Sequence, residues 1–182
     1  TLSLHDALPI YAGTIEITKD FNSTLKLKSR EYHSNLQGGF QVTTRFESES
    51  SEKIFGMGQY QHKFLDLKNT VLELAQRNSQ ISVPFYISSL GYGLLWNNPG
   101  IGKVSFAKNM TEWKMFSTNF IDYWITCGES PKELNKNYSQ VTGTVPMMPE
   151  NLLGLWQSKL RYRTSEEVLD VVKEYSKRGI KL

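Results

Sequence analysis

The sequence contains a single cysteine, Cys127, among its 182 residues. One cysteine excludes an internal disulfide framework and the repeated cysteine pairs of a structural zinc site. A catalytic thiol is the alternative, but Cys127 lies in an aromatic stretch typical of a buried strand, where a thiol is inert. We therefore expect no metal site and no cofactor.

The sequence also has no large excess of positive or negative charge and no long apolar run. The 21 basic and 18 acidic residues leave a net charge of +3, and Lys and Arg never form a long run. A surface for nucleic acid or an anionic membrane needs a denser basic patch. No stretch approaches the roughly 20 apolar residues of a membrane-spanning helix. We expect neither nucleic acid nor a membrane as a partner.

The first residues, Thr1 to Ile10, have neither the basic start nor the long apolar run of a signal peptide. They resemble one reading frame of a sequencing-adapter oligonucleotide, so we interpret them as a non-native artefact. The native N-terminus is then missing. The cellular location is therefore unknown, with the cytoplasm favoured over secretion.

Apolar and polar residues alternate over most of the chain from Tyr11 onward, which is the pattern of half-buried β-strands. Turn-forming clusters such as Gly38-Gly39 and Asn97 to Gly100 separate these stretches. Many short strands at this spacing are typical of an antiparallel β-sandwich. The predicted strands are 14–18, 24–28, 40–42, 44–46, 71–74, 83–88, 92–96, 103–106, 112–116 and 120–126.

A short helix is predicted after the last of these strands. Ser130 has the position of an N-cap and Pro131 that of the first helical residue. Leu134, Tyr138 and Val141 follow at helical spacing, so we expect them on the buried side.

A domain boundary is predicted around Pro146 and Pro149, because proline cannot donate to a regular hydrogen-bond ladder. We assign 1–10 to the artefact and 11–145 to the sandwich. Residues 146–182 then hold a linker and a βα unit.

The pattern changes after this boundary. Residues 152–162 are predicted to form a strand, and 180–182 to begin another. Between them, Thr164 and Glu167 form a capping box, and Gly179 predicts the end of a helix. One face of this helix carries Val168, Val171, Val172 and Tyr175. Strand, helix and strand make a crossover of a parallel sheet, which one unit cannot bury alone, so we interpret the chain as truncated.

Two polar stretches interrupt apolar runs. Gln76, Arg77 and Asn78 lie in a predicted loop, and Arg161 and Tyr162 lie at the C-terminal end of the predicted strand 152–162. In parallel α/β architectures that end of a strand faces the active site. Amides and a guanidinium suit the hydroxyl groups of sugars, and a tyrosine offers a flat apolar face. The alternatives are an ordinary polar loop and a charged strand end.

Candidate catalytic groups are few. The acidic residues do not cluster, and Asp122 is predicted to point outward from its strand. Gly56-Met57-Gly58 lacks the third glycine and the helix of a dinucleotide loop, so it predicts a kink in a strand. We therefore assign no catalytic residue.

Short motifs nevertheless occur in a recognisable order. They are Phe55 to Gln59, Arg77-Asn78, Val83 to Tyr86, Gly91 to Gly93, Leu94 to Pro99, Asp122 to Ile125, Gly128 to Pro131, Val141 to Pro146, and Leu153 to Trp156. In this order they resemble the motifs of glycoside hydrolase family 31, including its YGLGE-type segment, its G-x-x-P step and its TGxxPxxP linker. The resemblance covers Tyr11 to Leu182.

The resemblance implies a retaining α-glycosidase of α-glucosidase or α-xylosidase type, acting on an oligosaccharide or another α-glycoside. It implies a mainly β fold, with a galactose-mutarotase-like N-terminal β-sandwich followed by the first βα unit of a (β/α)8 barrel. The family's two catalytic aspartates lie on later barrel strands and have no counterpart here, so we expect this fragment to be inactive. The resemblance leaves open a homo-oligomer of the full-length enzyme.

The resemblance also implies roles for both polar stretches. In many relatives a sandwich loop reaches over the barrel mouth and ends in an Asn-Arg-Asp-type motif whose aspartate contacts the sugar. Here the triplet is Gln76-Arg77-Asn78, so an amide replaces the carboxylate. Relatives place an aromatic residue near the end of barrel strand one, where this chain has Arg161 followed by Tyr162.

A free-standing carbohydrate-binding or scaffold β-sandwich is the alternative from a different class. The incomplete βαβ unit argues against it, because a complete binding module does not need one.

Overall fold

The computed structural model describes residues 10–12, 15–18, 27–36 and 38–181. Most of the predicted artefact and most of the predicted strand 24–28 lie outside the described residues. The chain forms two compact units, which divide between Thr142 and Gly143.

The first unit is built from β-strands. The strands are β1 Ile10–Ala12, β2 Ile15–Thr18, β3 Arg30–Ser34, β4 Phe40–Glu47, β5 Ile54–Gln59, β6 Val71–Leu74, β7 Ile81–Ser88, β8 Tyr92–Trp96, β9 Gly102–Phe106, β10 Met110–Thr118 and β11 Tyr123–Cys127.

These strands make two main antiparallel sheets and a small pair. One sheet has five strands in the order β3-β4-β10-β9-β6, and the other has four in the order β11-β8-β7-β5. Strands β1 and β2 pair with each other. The predicted mainly β, antiparallel sandwich is confirmed. Strands β1 and β3 were not predicted, and β5 was predicted only through the strand kink at Gly56-Met57-Gly58.

Side chains from both sheets meet in an aromatic core. Trp96 of β8 stacks on Trp113 of β10, with ring centroids 5.1 Å apart and planes 10° apart. Tyr86 of β7 makes an edge contact with Phe106 of β9 at 5.4 Å. These four residues are buried. Each pair joins a strand of one sheet to a strand of the other, so the aromatic contacts hold the two layers together.

Strand β4 is one strand, where the sequence predicted two short ones at 40–42 and 44–46. It is buried on both faces, so apolar-polar alternation does not follow burial there. The guanidinium of Arg45 donates to Glu31 of β3 at 2.6 Å and to Glu112 of β10 at 2.7 Å. The hydrogen bond from Arg45 lowers the pKa of Glu31.

The predicted kink at Gly56-Met57-Gly58 is confirmed. The pairing of β5 with β7 shifts register between Gly56 and Gly58. The three residues have φ angles of 108°, 68° and 94°. The resulting bulge buries Met57 in the core while the rest of the strand keeps its ladder.

A buried carboxylate fixes the connections around β5. Glu52 is 2% exposed and accepts hydrogen bonds from Ser88 at 2.5 Å and from Tyr92 at 2.7 Å. Its second oxygen accepts from Ser48 and lies 3.5 Å from the ammonium of Lys68. Burial raises the pKa of Tyr92, so its hydroxyl stays a donor. A buried charge needs such a complete set of partners.

Helix α1, Pro131–Thr142, begins where the sequence predicted it. Ser130 caps it by accepting from the backbone of Glu133 at 3.3 Å. Leu134 is buried and Tyr138 stacks on Phe85 at 4.3 Å, as expected. Val141 is 57% exposed, so its predicted burial is wrong. The described contacts of α1 with the sandwich lie earlier in the helix, so its last turn has less surface to pack on.

The second unit contains a short 3₁₀ helix, Glu150–Leu153, and helix α2, Ser165–Lys177. The backbone N–H of Glu167 donates to Thr164 at 3.3 Å, which confirms the N-cap. Gly179 has φ 70°, and the Ile180 amide donates to the Tyr175 carbonyl at 3.0 Å. Helix α2 therefore ends in a Schellman-type cap. None of the helices in the described part of the chain is long and apolar enough to span a membrane.

The predicted strand at 152–162 is wrong. Residues 150–153 are the 3₁₀ helix, and 154–164 have no regular structure. The described part of 180–182 is not a strand either, and Leu182 lies outside the described residues. A strand needs a hydrogen-bonding neighbour, and the described residues of this unit provide none. Helix α2 forms as predicted, because the backbone hydrogen bonds of a helix lie within the segment itself and need no neighbouring strand.

Two glycines with nearly the same φ give a matched test of the bulge. A Cβ at Gly58 would lie 2.3 Å from the carbonyl oxygen of Ile81, whereas a Cβ at Gly38 has nothing within 4 Å. We expect Gly38→Ala to cost about 1 kcal/mol from backbone strain alone. Gly58→Ala adds a backbone clash and should cost at least about 3 kcal/mol in urea denaturation. Equal costs would show that the bulge does not need glycine at position 58.

Candidate functional site

The loop that carries Gln76, Arg77 and Asn78 crosses from one sheet to the other. It leaves β6 at Leu74 and enters β7 at Ile81. Arg77 and Gln80 form an isolated antiparallel bridge, and the turn between them includes Asn78. The loop is a tight hairpin, so its three predicted binding residues lie together.

Gln76 is held by the backbone of β7. Its amide nitrogen donates to the Ser82 carbonyl at 2.7 Å, and its amide oxygen accepts from the Ser82 N–H at 3.0 Å. Both ends of the amide are therefore used within the protein. This geometry makes Gln76 a brace for the loop.

Arg77 and Asn78 are exposed. The guanidinium of Arg77 makes two hydrogen bonds to one oxygen of Glu73, at 2.5 and 3.0 Å. This ion pair orients the guanidinium, which has five N–H donors in all and uses two of its nitrogens on Glu73. Asn78 lies at the turn. These two side chains present planar polar groups to solvent.

A cleft of about 310 Å³ lies beside the loop. Its polar lining includes Gln76, Ser82 and Asn98. Asn98 donates to the carbonyl of Asp122 at 2.7 Å, and the hydroxyl of Ser82 is hydrogen-bonded to that of Tyr60 at 2.8 Å. Because these groups are already paired, the cleft offers few polar contacts to a ligand.

The second polar stretch lies in the other unit. Arg161 is exposed in a segment without regular structure. The Tyr162 hydroxyl accepts from Gln157 at 3.1 Å, and the hydroxyl of Tyr175 donates to the other side of the same amide at 2.6 Å. Tyr162, Trp156 and Val172 line an apolar cleft of about 290 Å³. Gln157 thus connects Tyr162 to Tyr175 of α2. Arg161 directly precedes Tyr162 in the sequence.

The sequence missed an aromatic row that follows β5. The rings of Tyr60 and His62 have centroids 6.1 Å apart, and those of His62 and Phe64 are 6.0 Å apart. The hydroxyl of Tyr60 donates to the Glu73 carbonyl and is hydrogen-bonded to the hydroxyl of Ser82. The row therefore adjoins the strands that carry the loop at 75–80. The spacing Tyr-x-His-x-Phe was the available signal.

Catalytic and metal chemistry has little support in the residues that the structure describes. No group of three or more His, Cys, Asp or Glu is placed to hold a metal ion there. Neither cleft described above is lined by a carboxylate. Burial raises the pKa of Cys127, which keeps the thiol protonated at neutral pH.

Curated relatives match most of the chain. A protein of Pseudescherichia vulneris, named as an uncharacterized family 31 glucosidase, is 56% identical over 171 residues, covering 93% of this chain. An alpha-xylosidase of Saccharolobus solfataricus is 35% identical over 79% of it. The chain spans 32% of the first relative and 21% of the second. No family model matches the chain.

A solved structure agrees with these relatives. The family 31 alpha-xylosidase from a soil metagenome, crystallised with xylose, superposes with a TM-score of 0.75 at 51% identity. The match covers 86% of this chain and 23% of that one. The sandwich is therefore of the kind that glycosidases carry. The chain belongs to glycoside hydrolase family 31, which confirms the resemblance seen in its motifs.

The brace formed by Gln76 can be tested by substitution. We expect Gln76→Ala to weaken protection of the Ser82 amide by about 1 kcal/mol, roughly fivefold in hydrogen exchange, because that amide loses its acceptor. Gln80→Ala is the control, because the side-chain amide of Gln80 donates to the carbonyl of Ala75 and not to Ser82. Unchanged exchange at Ser82 in Gln76→Ala would contradict the brace.

Proposed function

We propose that this chain is part of a retaining α-glycosidase that hydrolyses terminal α-linked glucose or xylose from oligosaccharides. The observation that carries the proposal is the 56% identity to a family 31 glucosidase over 93% of the chain. The 51% identity to an alpha-xylosidase crystallised with xylose supports the same class.

In this proposal the sandwich contributes binding contacts. Arg77 and Asn78 extend planar polar groups from a braced loop, which suits the paired donors and acceptors of sugar hydroxyls. Gln76 holds the loop through Ser82. An amide at Asn78, in place of the carboxylate of many relatives, removes a charge from this position. Arg161 and Tyr162 are proposed as further substrate contacts, and oligomerisation of the enzyme stays open.

Bond cleavage is assigned to residues outside this chain. Retaining hydrolysis needs two carboxyl groups about 5 Å apart on either side of the bond. The described clefts have no acidic lining, so they cannot supply such a pair. We therefore propose that the chain alone is inactive and acts within a longer enzyme.

The exposed apolar surface of the second unit supports a larger enzyme over a free-standing binding module. Leu153, Trp156 and Leu160 are 70%, 74% and 102% exposed. A soluble module would bury such side chains, since large apolar patches mark surfaces that other protein covers.

The activity is tested with two proteins, the 182-residue chain and the protein encoded by the complete reading frame. We expect the complete protein to hydrolyse p-nitrophenyl α-xyloside or α-glucoside, and proton NMR to show the α-anomer of the sugar first, since retention preserves configuration. The chain alone should give no turnover above a mock-purified control. Inversion by the complete protein, or turnover by the chain alone, would contradict the proposal.

A further inference from the structure

The aromatic row Tyr60, His62 and Phe64 has the geometry of a binding surface. The planes of Tyr60 and His62 differ by 11°, and those of His62 and Phe64 by 32°. Tyr60 is half-buried against the core, His62 is exposed, and Phe64 is 54% exposed. Alternate residues place the three rings side by side, with solvent on part of the row.

The row is fixed at its start. The Tyr60 hydroxyl lies 2.9 Å from the Glu73 carbonyl and 2.8 Å from the hydroxyl of Ser82. The His62 N–H donates to the Tyr60 carbonyl at 3.0 Å, and the Phe64 N–H donates to the His62 ring at 3.3 Å. These contacts order the rings before any ligand binds.

The row is also fixed beyond Phe64. One oxygen of Asp66 accepts from the backbone of Ile54 and from that of Lys68, each at 3.0 Å. Leu67 is buried in the core, and its N–H donates to the Ile54 carbonyl at 2.8 Å. Side chains that are already ordered lose little conformational entropy when a ligand binds. This lower entropy cost matters most for a ligand that binds weakly.

The neighbouring polar groups decide the chemistry of the ligand. Glu73 supplies a backbone contact to Tyr60 and a side-chain contact to Arg77, so the row and the exposed guanidinium share one support. Sugar rings combine apolar faces, which pack on aromatic rings, with equatorial hydroxyls, which pair with planar donors and acceptors. A protein partner would need a larger buried apolar centre inside its polar rim, and a row of three rings does not provide one.

We propose that Tyr60, His62 and Phe64, with Arg77 at their side, form a carbohydrate-binding surface for sugar units of an oligosaccharide beyond the unit that is cleaved. The inference rests on the proposed function only for the source of the sugar. The stacking rings supply affinity, and Arg77 supplies hydrogen bonds.

The first test measures binding to the 182-residue chain by isothermal titration, with maltoheptaose and a xyloglucan heptasaccharide as probes. We expect one probe to bind, and His62→Ala and Phe64→Ala to weaken it about five- to tenfold each through lost stacking. Phe120→Ala is the matched control, because Phe120 is 49% exposed and Phe64 54%. Its affinity should equal that of the unchanged chain. Thermal melting should show all variants folded, since these side chains are exposed.

The proposed surface would be contradicted if neither probe bound. It would also be contradicted if Phe120→Ala lost as much affinity as Phe64→Ala. The complete enzyme then separates this inference from the proposed function. Phe64→Ala should raise KM for the oligosaccharide about five- to tenfold, and the control Phe120→Ala should leave that KM unchanged. An active enzyme with unchanged oligosaccharide KM would refute the surface alone. An inactive enzyme would refute the proposed function, while the titration would still decide the surface.

Discussion

The stacked indoles of Trp96 and Trp113 carry the contact on which the rest of the sandwich depends. Among the residues that the structure describes, no ladder hydrogen bonds join the two main sheets, so side-chain packing sets their separation. The indoles lie 5.1 Å apart, one on each sheet. This contact helps to set the separation of the two sheets, which every segment that crosses from one sheet to the other must span.

The crossing segments are also where the candidate binding groups lie. The connection from β5 to β6 carries the aromatic row, and the connection from β6 to β7 carries Arg77 and Asn78. Polar contacts hold both connections. On the first, the buried carboxylate of Glu52 pairs with Lys68, and on the second, the Gln76 amide bonds to the backbone of Ser82. Rigid crossings therefore present these side chains at defined positions, which a flexible loop would not do.

Much of the sandwich could be predicted from the sequence because alternating burial produces a period of two. Strand β6 follows this rule with the predicted bounds, and β9 follows it from Gly102, one residue before its predicted start. Strand β8 has the predicted bounds although nearly all of its residues are buried. The strand at 152–162 was mispredicted because its apolar density does not reveal whether a neighbouring strand exists. The contacts of Gln76 and the row from Tyr60 to Phe64 depend on partners distant in sequence, which periodicity does not encode.

We propose that this chain shapes part of a substrate site whose catalytic carboxylates lie elsewhere in a longer enzyme. A mechanism-based 5-fluoroglycosyl fluoride traps the covalent glycosyl-enzyme of a retaining enzyme. Peptide mapping of the labelled complete protein by mass spectrometry then locates the nucleophile. The account predicts one labelled aspartate, outside the 182 residues of this chain. A label on any carboxylate within those residues would contradict it.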